Sequence, residues 1–156
     1  LGNAPYYFTD FEIGLFGLLG VIGIYSSSWS GKTVGQGREN LVAKLCIVLM
    51  FGSTLPLYFA QHNIVIYAIG VLMAYFGLTA FHVLNQNLVY RIDLKSRSRI
   101  NAVYMTIYFS GAALGSLGAV YAWEQFEWIG CVILGFIFSI GILLIDRLDF
   151  KKMQNA

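Results

Sequence analysis

Five apolar runs fill this chain almost from end to end, at about 13–30, 41–60, 64–90, 102–123 and 128–145. Each is close to the roughly 20 residues that a helix needs to cross the hydrocarbon core of a bilayer. In that core, backbone N–H and C=O groups find partners only inside a helix or a closed barrel. The connections are short: Gly31 to Asn40, Gln61 to Asn63, Arg91 to Asn101 and Glu124 to Glu127. The expected fold is an all-α integral membrane protein with five transmembrane helices, packed antiparallel. It forms one membrane domain over 1–156, with 1–12 as an outer segment and 146–156 as a cytoplasmic tail. Composition agrees: 58% of residues are hydrophobic and 12% charged, against roughly 25% charged in a soluble domain.

The cations sort loop by loop. Lys32, Arg38 and Lys44 lie around the first connection, Arg91, Lys95, Arg97 and Arg99 in the third, and Arg147, Lys151 and Lys152 in the tail, which accounts for all ten. The amino-terminal segment and the two alternate loops carry no Lys or Arg and hold Asp10, Glu12, Glu124 and Glu127. The positive-inside rule therefore puts the amino terminus outside and the carboxy terminus in the cytoplasm. A very apolar soluble bundle would have no reason to sort its cations this way. Trp29, Trp123 and Trp128 fall at expected span ends, where amphipathic rings favour the interface.

Small residues mark faces for close helix approach. Gly14, Gly17, Gly20 and Gly23 recur every third residue in the first span, and Gly111, Gly115 and Ala119 every fourth in the fourth span. Close packing within one subunit and a sliding contact between moving bundles are both open readings. Pro56 removes a backbone donor inside the second span and predicts a local distortion there.

Ionisable groups inside spans are costly and so point to function. Within the five spans they are His82 and Lys44, and Lys44 lies near enough to a span end to snorkel. At helical spacing His82 shares a face with Asn85 or Gln86. One reading lines a substrate path with His82, Asn85 and Gln86; the other has the amides satisfy backbone groups near the inner surface. Asn101, Tyr104 and Tyr108 add a polar and aromatic face on the fourth span, the two tyrosines stacking four residues apart. Asp93 and Arg97 are spaced to form an exposed ion pair if both are helical.

Several classes find no support. There is no HExxH, GxSxG or Walker loop, and no Cys or His cluster with metal spacing, so neither an enzyme, a metal site nor a cofactor is expected. The basic residues form no single patch for nucleic acid. Cys46 and Cys131 fall near opposite membrane faces, too far apart for a disulfide. The first twelve residues do not read as a cleaved signal, and the initial Leu1 in place of Met points to a fragment, a processed product or a partial reading frame.

Three stretches together resemble the carboxy-terminal half of a major facilitator superfamily transporter, closest to bacterial drug or sugar efflux permeases. They are YFTDFEIGLFGLLG at Tyr7 to Gly20, GKTVGQGRE at Gly31 to Glu39, and DLKSRSRINAVYMTIYFSGAALGSLGAVYAW at Asp93 to Trp123. The resemblance implies helices eight to twelve of a twelve-helix fold, a partial six-helix bundle whose partner is the missing amino-terminal half. In the inner-loop motif Gly31, Gly37 and Arg38 match, with Asp93, Arg97 and Arg99 in the following inner loop. Gly35 and Gln36 replace the motif's Asp and Arg, so its charge contacts are not carried over. In that family helices seven, eight, ten and eleven line the cavity, which implies that Tyr104 and Tyr108 face an amphiphilic substrate. Packing of these rings between helices is the other reading.

The expected function is that of a fragment of a secondary transporter in a bacterial inner membrane. It would move a small organic solute outward by alternating access, coupled to protons in an antiport cycle. The alternative is a non-transporting scaffold or subunit that binds a partner through its glycine faces.

Overall fold

The computed structural model describes residues 7–11, 14, 17–93 and 95–154. A 3-10 turn at Gly17–Gly20 leads into α1 (Val21–Thr33), followed by α2 (Glu39–Phe59), a second 3-10 turn (Ala60–His62), α3 (Ile64–Val89) and α4 (Arg97–Gln154). No strand occurs among the described residues.

Three of these helices are long and apolar enough to cross a membrane: Glu39–Phe59, Ile64–Val89 and Arg97–Ile145. Five separate spanning helices, as expected, are therefore not what these residues form, and the differences have physical causes. The first span was expected over 13–30, but the helix that ends at Thr33 begins at Val21, and the helical geometry at 10, 11 and 14 is separated from it by the 3-10 turn. Glycines at 14, 17 and 20 weaken helix propagation, and 17–20 tightens into 3-10 geometry. The fourth and fifth spans run on as one element, which starts at Arg97 and is broken at Glu127, where φ is 52° and ψ −137°. The expected loop from Glu124 to Glu127 is thus a single-residue break, and the expected tail from 146 continues as helix to Gln154.

The two arms of α4, 97–126 and 128–154, fold back on each other. The Cys131 thiol lies 3.7 Å from the Ala119 carbonyl oxygen, and a Cβ at Gly118 would meet Leu134 at 3.5 Å. A Cβ at Gly130 would overlap the Ala122 carbonyl. Residue pairs whose numbers sum to a near-constant value describe an antiparallel hairpin. Only a glycine at 130 lets the arms meet so close to the break.

α3 is the central helix. Its stripe of Gly70, Gly77, Ala80 and Leu84 is buried, and α2 lies antiparallel against it. A Cβ at Gly70 would strike Leu57, and one at Gly77 would strike Met50 and the Cys46 carbonyl. Val42, Cys46, Ala80 and Leu84 form the core there, with Trp29, Phe76 and Phe81 against it. α1 packs mainly on α3 rather than on its sequence neighbour α2, and runs parallel to it: Gly20 faces Tyr75, Gly23 faces Thr79 and Gly31 faces Val83. Of the expected glycine strip, Gly20 and Gly23 make helix contacts, whereas Gly14 and Gly17 meet nothing within 4 Å among the described residues.

Two end groups fix the turn between α2 and α3. The Asn63 side-chain oxygen accepts from the Val65 and Ile66 amides at 3.0 and 3.3 Å, an N-cap. At the end of α2 the Trp128 indole N–H donates to the Leu57 carbonyl at 2.8 Å, which ties the second arm of α4 to the bundle. Pro56 falls in the last turn of α2, which runs through it and ends at Phe59.

Candidate functional site

The sequence reading singled out His82, Asn85, Gln86, Asn101, Tyr104 and Tyr108. Three of them meet. The first arm of α4 runs antiparallel to α3 and lays Tyr104 and Tyr108 beside His82: ring centroids are 5.7 Å apart for His82 and Tyr104, and 4.2 Å for His82 and Tyr108. The two tyrosine rings are nearly parallel at 6.5 Å, as their four-residue spacing predicts. The Tyr104 hydroxyl lies 3.1 Å from His82 Nδ1 and 3.3 Å from the His82 carbonyl oxygen.

Asn101 is drawn into a second contact, accepting a hydrogen bond from the Tyr90 hydroxyl at 2.5 Å. This pins the start of α4 to the end of α3. Asn85 and Gln86 are half-buried on α3, and neither side chain hydrogen-bonds to the three rings among the described residues. Asn87 donates to the Val83 carbonyl at 2.8 Å, the backbone-satisfying role open for the amides of this turn.

The loops after α1 and α3 hold a charge contact that the motif did not foretell. Glu39 Oε1 accepts from the Gly35 amide at 2.6 Å and lies 3.6 Å from Arg91 Nη1. Gly35 has φ +91°, and a Cβ there would come within 2.7 Å of Arg91 Nη2. The glycine in the motif's acidic position therefore gives Arg91 room, and Glu39 supplies the carboxylate from four residues on. Gly37, also at positive φ (71°), completes the turn. Gly31 lies near Val83, while Arg38, Arg97 and Arg99 are exposed.

Asp93 does not pair with Arg97 as the i to i+4 spacing allowed, because it precedes the helix. The Ser96 side chain and the Lys95 amide (2.9 Å) bind its carboxylate instead and hold its pKa below the usual range.

Sequence reasoning missed a buried hydroxyl seam between α1 and α3. Ser26 and Ser30 are fully buried. Ser26 Oγ meets Thr79 Oγ1 at 2.5 Å, and Ser30 donates to the Ala80 carbonyl at 2.7 Å. The signal was available: Gly23, Ser26 and Ser30 lie on one helical face. A separate cavity of about 360 Å³ lies between α2, α3 and the second arm of α4, bounded by Met50, Leu57, Leu78, Trp128 and Val132 among others. Its Ser53 and Ser139 hydroxyls donate to their own backbone, so the walls are apolar in effect. None of the six expected path residues lines it. Among the described residues no group of His, Cys, Asp and Glu could hold a metal ion.

Comparison with known proteins adds a name class. No family model matches the chain, and no solved structure does. Over all 156 residues it is 31% identical to the uncharacterized transporter YgaY of Escherichia coli O157:H7, of which it covers 40%. It is 26% identical over 149 residues to an uncharacterized transporter of Buchnera aphidicola subsp. Baizongia pistaciae, covering 94% of this chain and 36% of the relative. A further Buchnera aphidicola transporter, from subsp. Schizaphis graminum, is 24% identical over 146 residues, 90% of this chain and 34% of its own. The chain thus spans about 40% of the length of the curated relatives it matches. Its apolar helices and its transporter-named relatives together support a multi-pass membrane protein of transporter type.

Proposed function

We propose that this chain is part of a secondary active transporter that moves a small organic solute by alternating access. The observation that carries the reading is similarity along the whole chain to proteins named transporters. In finer terms the chain supplies the carboxy-terminal part of a major facilitator superfamily permease, of efflux type and exchanging solute for protons. The remaining segments would come from the rest of a protein about two and a half times as long, as its relatives are.

The alternating directions of α2, α3 and the two arms of α4 support a chain that passes repeatedly through a bacterial inner membrane. The sorted cations support an outer amino terminus and a cytoplasmic carboxy terminus. The His82, Tyr104 and Tyr108 cluster, between two helices and away from the packed core, is the part of the chain best suited to line a solute path.

The test is flux. Full-length protein in liposomes with an imposed pH gradient should move at least one of a panel of small organic solutes, ethidium among them, in a way that a protonophore abolishes. The 156-residue chain alone should not, since alternating access needs two halves around a shared site. A second reading, a non-transporting scaffold, draws on the faces at Gly111 and Gly115, which meet nothing within 4 Å among the described residues. Absence of gradient-dependent flux for the whole panel would favour it.

A further inference from the structure

The cavity between α2, α3 and the second arm of α4 is long and narrow. Its wall on the second arm runs from Trp128 to Ile142, about 21 Å at 1.5 Å per residue. Spread over that length, its volume of about 360 Å³ gives a mean cross-section of about 17 Å². A helix about 10 Å across needs roughly four times that area, so no helix fits inside. An apolar cavity of about 150 Å³ holds a benzene, and at that density this one takes about fourteen carbons. One unbranched hydrocarbon chain has that shape and size.

The walls offer a polar molecule nothing. None of the lining residues is charged. Ser53, Thr54 and Ser139 donate to the Met50, Phe51 and Gly135 carbonyls of their own helices. The Trp128 indole N–H is taken by Leu57, and the Cys131 thiol is turned to Ala119. Tyr75 reaches toward α1, where a Cβ at Gly20 would meet its ring edge at 3.9 Å. A solute with a charge or a hydrogen-bonding group would lose its water here without replacement.

The cavity also opens where hydrocarbon is the solvent. Its walls belong to three helices long and apolar enough to cross a membrane. Leu78 and Phe138 in the lining are about half exposed, so it opens sideways out of the described bundle. A helix docking across such a mouth would need small residues for close approach, and these two are bulky. Lipid tails are present there in large excess. We infer that this cleft is a resident site for one acyl chain of a bilayer phospholipid, held between the helices rather than sliding over their surface. The site depends on the membrane placement of these helices and not on any transported solute.

Gly135 lies halfway along the wall, and a Cβ there meets nothing within 4 Å among the described residues. Gly135→Leu therefore fills the cleft at its midpoint without displacing protein, and Ala74→Leu fills it from α3. The experiment uses full-length protein in phosphatidylcholine vesicles that contain a small share of phosphatidylcholine with a photoactivatable diazirine at mid-chain. After illumination, mass spectrometry of the digested protein should place adducts on Val132, Ser139 and Ile142. Either substitution should cut those adducts about tenfold, the effect of losing two buried methylenes, and leave labelling elsewhere unchanged. No adducts at these residues in the unsubstituted protein would show that another protein segment covers the cleft and would overturn the site. Adducts indifferent to both substitutions would overturn it too, as contact with surface lipid only. Failure of both variants to fold, read by thermal unfolding in detergent, would show that the cleft lacks the space a chain needs.

Discussion

The three-helix bundle α1–α3 and the α4 hairpin are built from the same kinds of residue but use them differently. In the bundle, small residues sit where another helix presses: Gly23 on Thr79, Gly70 on Leu57, Gly77 on Met50 and the Cys46 carbonyl. Buried hydroxyls then lock the seam, Ser26 to Thr79 and Ser30 to Ala80. In the first arm of α4, Gly111 and Gly115 meet nothing within 4 Å among the described residues, and Ile107, Phe109, Leu114 and Leu117 are each about two-thirds exposed. The hairpin touches the bundle at anchors such as Tyr90 with Asn101, His82 with its tyrosines, Phe51 with Phe136, and Trp128 with Tyr67 and Leu57. A glycine in a membrane helix is therefore informative only together with what faces it, since helix association there relies on close packing rather than on water exclusion.

Substitutions can break this contrast, and the largest effect belongs in the bundle. Gly77→Leu should cost about 3 kcal/mol or prevent folding, because the new side chain overlaps Met50 and backbone at Cys46; thermal unfolding in detergent reads it directly. Gly130→Ala should come next, opening the hairpin at Ala122, and cross-linking between cysteines placed at 118 and 134 should fall. Ser30→Ala removes one interhelical hydrogen bond and should lower stability by roughly 1 kcal/mol. Gly115→Ala should change the stability of this chain by less than about 0.5 kcal/mol, as its face is bare. A larger loss in the full-length protein would show that another segment covers that face.

The smallest effect concerns the loop between α3 and α4 and sharpens a different contrast, between fixed and titrating contacts. The Asp93 pKa is lowered by Ser96 and Lys95, so its contribution is present above the unfolded carboxyl value and is lost as pH falls through the lower folded value. Protection of the Lys95 amide from hydrogen exchange should decline over that acidic window and stay constant between pH 6 and 8.

Much of this was legible because it follows from solvent. Apolar runs and short connections identify helices, and the i to i+4 spacing of Tyr104 and Tyr108 put both rings on one side. What was not legible depended on geometry across the chain. Nothing in the residues around Glu127 announces that the hairpin turns at a single positive-φ position. The charge contact between Arg91 and Glu39 was hidden because its two partners are far apart in sequence, and the motif positions Gly35 and Gln36 carry neither charge. Asn85 and Gln86 shared a helix face with His82, but a shared face does not decide which neighbour arrives there; of the three, only His82 has a hydrogen bond or ring contact with the first arm of α4 among the described residues.

The central claim is that the chain threads the membrane repeatedly, with its basic loops inside. Labelling of single cysteines by a membrane-impermeant thiol reagent tests it most directly, in full-length protein with Cys46 and Cys131 replaced by serine. A cysteine at Lys95 should react only in inverted vesicles, and one at Gln125 only in intact cells. Reaction of both from the same side would contradict the account.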